Sequence, residues 1–504
     1  MNKNTKIADV CLIIENSYPY TTGGVASWVQ RLIKSYKNTI RFAVVALTNE
    51  HKTIQNMRYS LPDNVISFKY FNLSDYTILR EAEPVELTSL EQNQIYLHIK
   101  KFVLSNSFRN GSLNNEDIQL FIKILEDYKA SFFKHILLSE SGSHLFGELY
   151  KKHGKNGFLK YYYNLRNLQL KIWRVFLLIN SLPKAKIYHA TSTGFAGFLV
   201  CMMTALYKKP SVITEHSIYI EEKEMDLSKA KSKSLSLDET DLLEMWRNFF
   251  QILTEFEYKT VTKLITYSEG NKELLIEYGA NPKTVRVIPN GIEINLFIKA
   301  RRTRITSQPL VIGMVGRIDE GKDIKTFLNV VANIVKVHPT IQAYLIGQQE
   351  NESYYQECLA LRELLNLEEV VIFTGYTGNL IDYYKKMDVL LLTSIKSTMP
   401  LVIMEAMACG LPVVATKVGA CQELLYGIDD DLGEAGYIAN VMDSIDIATK
   451  TMRILSNPKL ANKMGQIGIQ RIDKYYSENN FIDKYSIVYK KMISQMRRQN
   501  INRW

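Results

Sequence analysis

The sequence predicts an α/β protein of two domains, each built on a doubly wound parallel sheet. Three observations carry this. At 504 residues the chain is too long for one ordinary core. Strands and helices alternate at the start of the chain and again from about residue 310 to 416. Between the two runs lies an aperiodic, basic stretch, Phe297–Gln308, with Arg301, Arg302 and Arg304, which reads as a linker.

Val10–Ile14 is a continuous apolar run of the kind buried on both faces of a parallel sheet. The turn Thr21-Thr22-Gly23-Gly24 leads into Val25–Tyr36, where Val25, Trp28, Val29, Leu32 and Ile33 recur at helical spacing, and Arg41–Leu47 is the next predicted strand. Residues 50 to about 185 break the alternation and read as a largely helical insertion, with predicted helices at Asp117–Leu138 and Phe158–Asn180. The run Tyr161-Tyr162-Tyr163 and the amphipathic Leu168–Ile179 fall here, and packing on the parent domain is the expectation. Strands resume at Lys186–Ala190, Ser211–Glu215, Lys263–Tyr267 and Thr284–Ile288. After the linker the predicted order is strand Leu310–Val315, helix Ile324–Val337, strand Gln342–Ile346 and helix Tyr354–Leu365. Strands Val370–Thr374 and Val389–Leu392, helix Val402–Cys409 and strand Pro412–Ala415 follow, and Ser444–Arg498 is almost wholly helical. The expected domains are residues 1–296 and 309–475, with 476–504 a final helix returning to brace the N-terminal domain. Two such sheets imply a cleft at the carboxyl ends of their strands, where doubly wound folds bind ligands.

Composition narrows the function. The net charge of +10, with a pI near 9.0, favours anionic partners. No zinc-finger spacing, RNA-binding aromatic signature or Arg-rich arm points to nucleic acid. No stretch approaches the roughly 18 apolar residues that cross a bilayer, and the polar start Met1–Asp9 lacks a signal-peptide core. Cys11, Cys201, Cys358, Cys409 and Cys421 show no metal-ligand spacing and mostly lie in apolar runs, as buried reduced thiols do. A cytoplasmic address is expected. Asp429-Asp430-Asp431 reads as a solvated loop rather than a metal site.

The residues that could carry chemistry sit after strands. In S-I-K-S-T-M-P-L-V-I-M-E-A-M-A-C-G, residues 394–410, a helix starts near Leu401 behind Pro400, and its free N–H groups suit a phosphate or sugar hydroxyl. Glu405 in that helix could accept hydrogen bonds from two vicinal ribose hydroxyls. Arg317 and Lys322 follow a buried strand, and a planar fork with a point charge can neutralise a diphosphate leaving group without metal. Gly23 and Gly24 permit close approach to backbone N–H groups, and His216 follows the strand Ser211–Glu215.

Together these positions resemble the retaining glycosyltransferases of family 4. The matching stretches are G-G-V-A-S-W-V at 23–29, T-E-H at 214–216, V-I-P-N-G-I at 287–292 and G-R-I-D-E-G-K-D-I-K-T-F at 316–327. P-L-V-I-M-E-A-M-A-C-G-L-P-V-V-A-T at 400–416 and V-G-A-C-Q-E-L at 418–424 complete them. Within that family the chain is most similar to the cytosolic transferases of Pel-type exopolysaccharide synthesis. The resemblance implies the GT-B architecture, two facing Rossmann-like domains with an interdomain cleft. It implies a metal-independent enzyme without a cofactor. A hexose would pass from a nucleoside-diphosphate sugar, UDP-linked and of the UDP-glucose kind, to a polysaccharide or oligosaccharide acceptor. Membrane-bound polysaccharide-synthesis proteins are implied partners, with a peripheral place at the inner face of the membrane.

Carried over residue by residue, Glu405 resembles the ribose-binding glutamate, and Arg317 and Lys322 the diphosphate-binding pair. Gly24, with Gly23 before it, resembles the glycine that lets the diphosphate approach, and His216 the histidine beside the donor hexose. Ser397, Thr398, Met399, Pro400 and Leu401 form the loop that lines the nucleotide sugar. Here the chain departs from the pattern: a Glu-Gly pair is expected where Ser397 and Thr398 stand, eight residues before Glu405. The carboxylate that contacts the transferred hexose has become a hydroxyl, and the glycine a β-branched residue. Two readings follow: an active transferase, or a nucleotide-binding but catalytically weak scaffold subunit of a polysaccharide-synthesis complex. A nucleotide-sugar epimerase of the same fold fits the 400–416 match less well.

Overall fold

The computed structural model describes residues 7–75, 140–154, 157–233, 240–301 and 309–501, with Leu97 and Lys100. The predicted helix Asp117–Leu138, linker residues 302–308 and Arg503 lie outside the described residues. The described chain divides into two compact units: one within Met1–Thr266, Glu273–Arg286 and Val488–Trp504, the other within Tyr267–Lys272 and Val287–Ile487.

The first unit opens with strand β1 (Ala8–Glu15), helix α1 (Gly24–Ser35) and strands β2 (Phe42–Thr48) and β3 (Val65–Asn72). Helices α2 (Glu140–His153) and α3 (Phe158–Leu178) lead to strand β4 (Ala185–Ala190), helix α4 (Phe195–Tyr207) and strand β5 (Ser211–Thr214). Helices α5 (Tyr219–Lys233) and α6 (Thr240–Thr260), strand β6 (Lys263–Thr266), helix α7 (Glu269–Glu277) and strand β7 (Val285–Val287) follow. The sheet has the order β3-β2-β1-β4-β5-β6-β7. Its centre is parallel, with Leu12 opposite Val44 on one side and His189 on the other. The chain winds outward from β1 in one direction and from β4 in the other, so the switch point lies between β1 and β4.

One sequence expectation is corrected here. Residues 50 to about 185 are not simply a helical insertion, because β3 within them pairs in parallel with β2 and extends the sheet. Its residues are only partly buried, as at an edge, so the unbroken apolar run that marked the central strands is missing. Further on, Leu168, Ile172, Trp173, Val175, Phe176 and Ile179 are buried in the core of this unit, so the amphipathic stretch of α3 is core. In the tyrosine run, Tyr161 is buried and Tyr163 exposed, as helical rotation dictates.

The second unit carries helix α8 (Ile294–Ile298), strand β8 (Val311–Val315), helix α9 (Ile324–Val335), strand β9 (Gln342–Ile346) and helix α10 (Glu352–Leu364). Strand β10 (Val371–Gly375), helix α11 (Leu380–Lys386), strand β11 (Val389–Leu392), helix α12 (Leu401–Ala408) and strand β12 (Val413–Thr416) follow. Helix α13 (Cys421–Tyr426), strand β13 (Gly436–Ala439) and helices α14 (Ser444–Leu455) and α15 (Pro458–Tyr475) complete it, and helix α16 (Glu478–Ile501) starts in this unit but belongs to the first from Val488 onward. The sheet order is β10-β9-β8-β11-β12-β13, parallel throughout, with its switch point between β8 and β11. β8 is buried at every position, as a strand covered on both faces must be. Ile324, Phe327, Leu328, Val331 and Ile334 of α9 form the stripe laid against the sheet, and Asp323 caps the helix by accepting from the Thr326 amide at 3.2 Å. Strand β13 escaped the sequence reading because four residues starting at a glycine carry too little pattern. Both sheets have the doubly wound order of Rossmann-like domains.

The acidic loop is a second correction. Asp430 is not solvated: its side chain and that of Arg471 are 2% and 0% exposed, and one guanidinium edge, Nη2 and Nε, donates to its two oxygens at 2.7 and 2.8 Å. Arg471 also donates to the carbonyls of Leu425 and Gly433. The loop is tied down by a fully bonded internal ion pair. Among the described residues no group of three or more His, Cys, Asp or Glu could hold a metal ion, and no helix is long and apolar enough to cross a membrane.

Candidate functional site

In the second unit the marked residues gather at the switch point. Arg317 and Lys322 follow β8, and the loop Ser397–Leu401 follows the adjacent strand β11. The two loops are joined: Ile395 N–H donates to the Gly321 carbonyl at 2.9 Å, and Thr393 Oγ1 donates to the carbonyls of Lys322 and Asp323. The turn after β12 closes on them. Ala420 N–H donates to the Thr398 carbonyl at 2.8 Å, and a Cβ on Gly419 would fall 1.9 Å from the Ser397 carbonyl oxygen. Only glycine lets that turn reach the loop.

The cations are in different states. Arg317 is exposed and grips Glu350, its Nη1 donating to both carboxylate oxygens at 2.6 and 2.7 Å, with Asp319 at 3.6 Å. That contact raises its already high pKa. Lys322 is half-buried, and desolvation pulls its pKa down, aided by the nearby charge of Arg317. A desolvated ammonium gains more from an incoming anion than one in water. Glu405 lies on α12, half-buried, and its Oε2 accepts from the buried Tyr384 hydroxyl at 2.7 Å. Met399 is buried and its sulfur takes the Asn290 N–H at 3.4 Å, which gives the P-N-G-I stretch a packing role. Pro400 is the N-cap of α12 and makes no side-chain cap.

Gly23, Gly24 and His216 belong to the first unit and are described within it. Gly23 starts α1 with φ 149°, no side chain caps the helix, and both glycines are exposed with open space where a Cβ would point. His216 sits edge-on to Trp28 at 4.8 Å, and burial lowers its pKa to about 3. The same indole meets His189 at 6.0 Å. His189 is fully buried in β4, with Nδ1 2.7 Å from the Tyr489 hydroxyl and Nε2 2.8 Å from Thr214 Oγ1, and its pKa too is lowered to about 3, by burial and then by His216. The tryptophan of G-G-V-A-S-W-V thus seats two neutral imidazoles.

Across the switch point from α1, the start of α4 holds three carboxylates that sequence reasoning missed. Glu215 accepts from Thr193 N–H at 2.9 Å, Glu257 from Gly194 N–H at 3.2 Å and Glu15 from Phe195 N–H at 3.1 Å. Tyr258 and the Tyr219 amide also donate to Glu215. Burial raises all three pKa values, that of Glu257 furthest, with Glu215 repelling it. Glu257 Oε1 is buried without a partner among the described residues. A charged residue directly ending a buried strand was the available signal for Glu15 and Glu215; Glu257, inside a long helix, carried none.

Comparison with known proteins assigns the two halves separately. Residues 8–283 match the model of a family described as Domain of unknown function (DUF3492), which is more than half of the 504 residues. The chain belongs to the DUF3492 family. Residues 298–471 of this DUF3492 protein match the model for glycosyl transferases group 1, so its second unit is a domain of that group. It is 24% identical over 214 residues to N-acetyl-alpha-D-glucosaminyl L-malate synthase of Bacillus anthracis, 41% of this chain and 54% of that protein. It is 24% identical over 319 residues to UDP-Gal:alpha-D-GlcNAc-diphosphoundecaprenol alpha-1,3-galactosyltransferase of Escherichia coli, 60% of this chain and 74% of that one. The DUF3492 chain spans about half the length of the first of these relatives. Among solved structures it is similar to Anabaena HepE in complex with UDP, at a TM-score of 0.58 and 14% identity over 95% of this chain and 99% of that one. It is equally similar to sucrose-phosphate synthase from Thermosynechococcus elongatus, at 0.58 and 17% over 97% and 100%. At these identities the likeness is one of fold.

Proposed function

We propose that the chain is a retaining glycosyltransferase that moves a hexose from a UDP-linked sugar to a saccharide acceptor of exopolysaccharide type, without a metal ion. The observation that carries this is the convergence of the Arg317–Lys322 loop and the Ser397–Leu401 loop on adjacent strands at the switch point, inside the segment that matches glycosyl transferases group 1. In this reading the bond between the anomeric carbon and the diphosphate oxygen breaks, and its electron pair leaves with the diphosphate. Arg317 and Lys322 take up that charge. The acceptor hydroxyl bonds the anomeric carbon from the same face and gives its proton to the departing phosphate oxygen. Glu405 receives the ribose hydroxyls, Gly23 and Gly24 leave room at an anion-attracting helix start, and His216 stands beside the hexose as a neutral imidazole. The UDP seen in HepE and the galactosyl donor in the name of the Escherichia coli relative support the choice of donor class.

Ser397 and Thr398 set the rate. A charge-assisted hydrogen bond is worth about 1.5–3 kcal/mol, so a hydroxyl in place of the carboxylate slows transfer by roughly 10- to 150-fold. The decisive experiment incubates the protein with a panel of nucleotide sugars and a saccharide acceptor and measures binding and nucleotide release. Turnover should survive a chelator, vanish in Arg317→Ala/Lys322→Ala, and rise at least about tenfold in Ser397→Glu/Thr398→Gly. Binding of nucleotide with no release of diphosphate in either protein would mark a scaffold; no binding at all would remove the reading.

A further inference from the structure

The feature that the functional reading leaves unexplained is the phenol behind Glu405. Tyr384 is fully buried, and its hydroxyl donates to Glu405 Oε2 at 2.7 Å. It comes from α11, 21 residues earlier in the chain and on a different helix, so no local pattern couples the two. The neighbouring tyrosine goes elsewhere: Tyr383 packs edge-on to Tyr344 at 5.5 Å. The Tyr384 ring is held by Phe297 at 6.2 Å, T-shaped. We propose that Tyr384 is a positioning residue for Glu405, fixing the plane and rotamer of the carboxylate so that it meets the two vicinal ribose hydroxyls of a nucleoside diphosphate at one set angle. This rests on the reading of Glu405 as the ribose acceptor.

Three physical points support it. A carboxylate has about four acceptor positions, and the bond from the phenol takes one of them. A neutral donor orients the carboxylate without cancelling its charge, whereas an arginine or lysine in its place would do both. Burial and the adjacent Glu405 charge raise the phenol's pKa well above its ordinary value, so it stays protonated and acts as a donor at every working pH. Vicinal hydroxyls need two acceptors held in a fixed relation, and a phenol bonded to Oε2 holds the terminal, loosely restrained χ3 of a glutamate to one plane.

The test is ribose discrimination, a readout that a merely structural tyrosine would not move. UDP and 2′-deoxy-UDP are titrated by calorimetry into the wild-type protein, Glu405→Gln, Tyr384→Phe and Phe297→Leu. Wild type should prefer UDP by at least about tenfold, the worth of one hydrogen bond to a charged group. Tyr384→Phe should bring the preference to within about threefold while the folding midpoint stays within a few degrees. Phe297→Leu, which loosens the ring's seat without touching phenol or carboxylate, should reduce the preference part-way and covers the case in which Tyr384→Phe does not fold. If wild type binds both nucleotides alike, the ribose reading of Glu405 fails. If wild type prefers UDP and Glu405→Gln loses that preference, but Tyr384→Phe and Phe297→Leu keep it, the positioning role of Tyr384 is overturned and the ribose reading stands.

Discussion

Helices α1 and α4 flank the same switch point of the first sheet and start in the same way, yet their N-termini end in opposite electrostatic states. Each begins after a glycine with positive φ, Gly23 at 149° and Gly194 at 104°, and neither glycine can cap its helix. At α1 the surroundings are open. At α4, Glu215, Glu257 and Glu15 take the amides of Thr193, Gly194 and Phe195. A helix start attracts anions wherever it lies. The protein fills one start with its own carboxylates and leaves the other with no side-chain cap.

The largest expected effect breaks the filled end. A Cβ on Gly197 would lie 2.0 Å from Glu257 Oε2, and one on Gly194 would lie 2.7 Å from the Tyr219 hydroxyl, whereas one on Gly23 meets nothing. Gly197→Ala and Gly194→Ala should each cost about 3 kcal/mol by overpacking, and Gly23→Ala about 1 kcal/mol from its φ alone; denaturant midpoints decide. Equal costs at the three positions would erase the contrast.

Filling the open end comes next. Gly24→Asp places at α1 what the glutamates place at α4, in space that accepts it. The value of kcat/KM for the nucleotide sugar should fall about 100-fold, near 2.7 kcal/mol, while the melting midpoint moves by less than about 3 °C. Unchanged kinetics would mean that no ligand anion uses this helix start.

Titration sharpens the contrast further. The folded-state pKa of Glu257 is raised, so the native protein holds a proton that the unfolded chain, titrating at about 4.3, has already lost. Stability is therefore complete below that value and declines as pH rises towards the folded pKa. Glu257→Gln keeps an acceptor for Gly194 and removes the charge, so it should gain about 1–2 kcal/mol at pH 8 and nothing at pH 4. The histidines run the other way. His189 and His216, lowered to about 3, stabilise the neutral-pH fold and lose that contribution as pH falls from about 6.5. Melting curves of Glu257→Gln across pH 4–8 should thus show a steeper acid loss than wild type; parallel curves would separate the carboxylates from the helix end.

The smallest effect tests the same device at the surface. Glu350 holds Arg317 as the buried glutamates hold α4, but the guanidinium is exposed, with side-chain exposures of 62% and 45% in the pair. Exposed pairs are worth about 0.2–1 kcal/mol, so on the proposed function a diphosphate has little to overcome in displacing this one. Glu350→Gln should lower the donor KM by about two- to fivefold with kcat unchanged; an increase would make Glu350 part of the donor's own contacts.

Much of this was legible in the residues. The central strands showed because strands covered on both faces are unbroken apolar runs, and Arg317, Lys322 and the 397–401 loop showed because they directly follow such strands. Edge strands β3 and β13 did not, since half-buried or very short strands lack that signature. The burial of Asp430 was invisible because its partner, Arg471, is 41 residues away on α15.

The sequence by itself determined the two α/β sheets, the order of their central elements and the placement of glycines and cations after strands, since these follow from local periodicity and turn chemistry. Only the tertiary structure decided what each polar group became. Whether a carboxylate is solvated, as Asp429–Asp431 looked, or locked, as Asp430 is, depends on partners that the chain supplies from far away. The same holds for Glu257 against Gly194 across 63 positions, His189 against Tyr489 across 300 and Glu405 against Tyr384 across 21. Hydrogen bonds and desolvation act over a few ångströms in space, and distance along the chain does not report them.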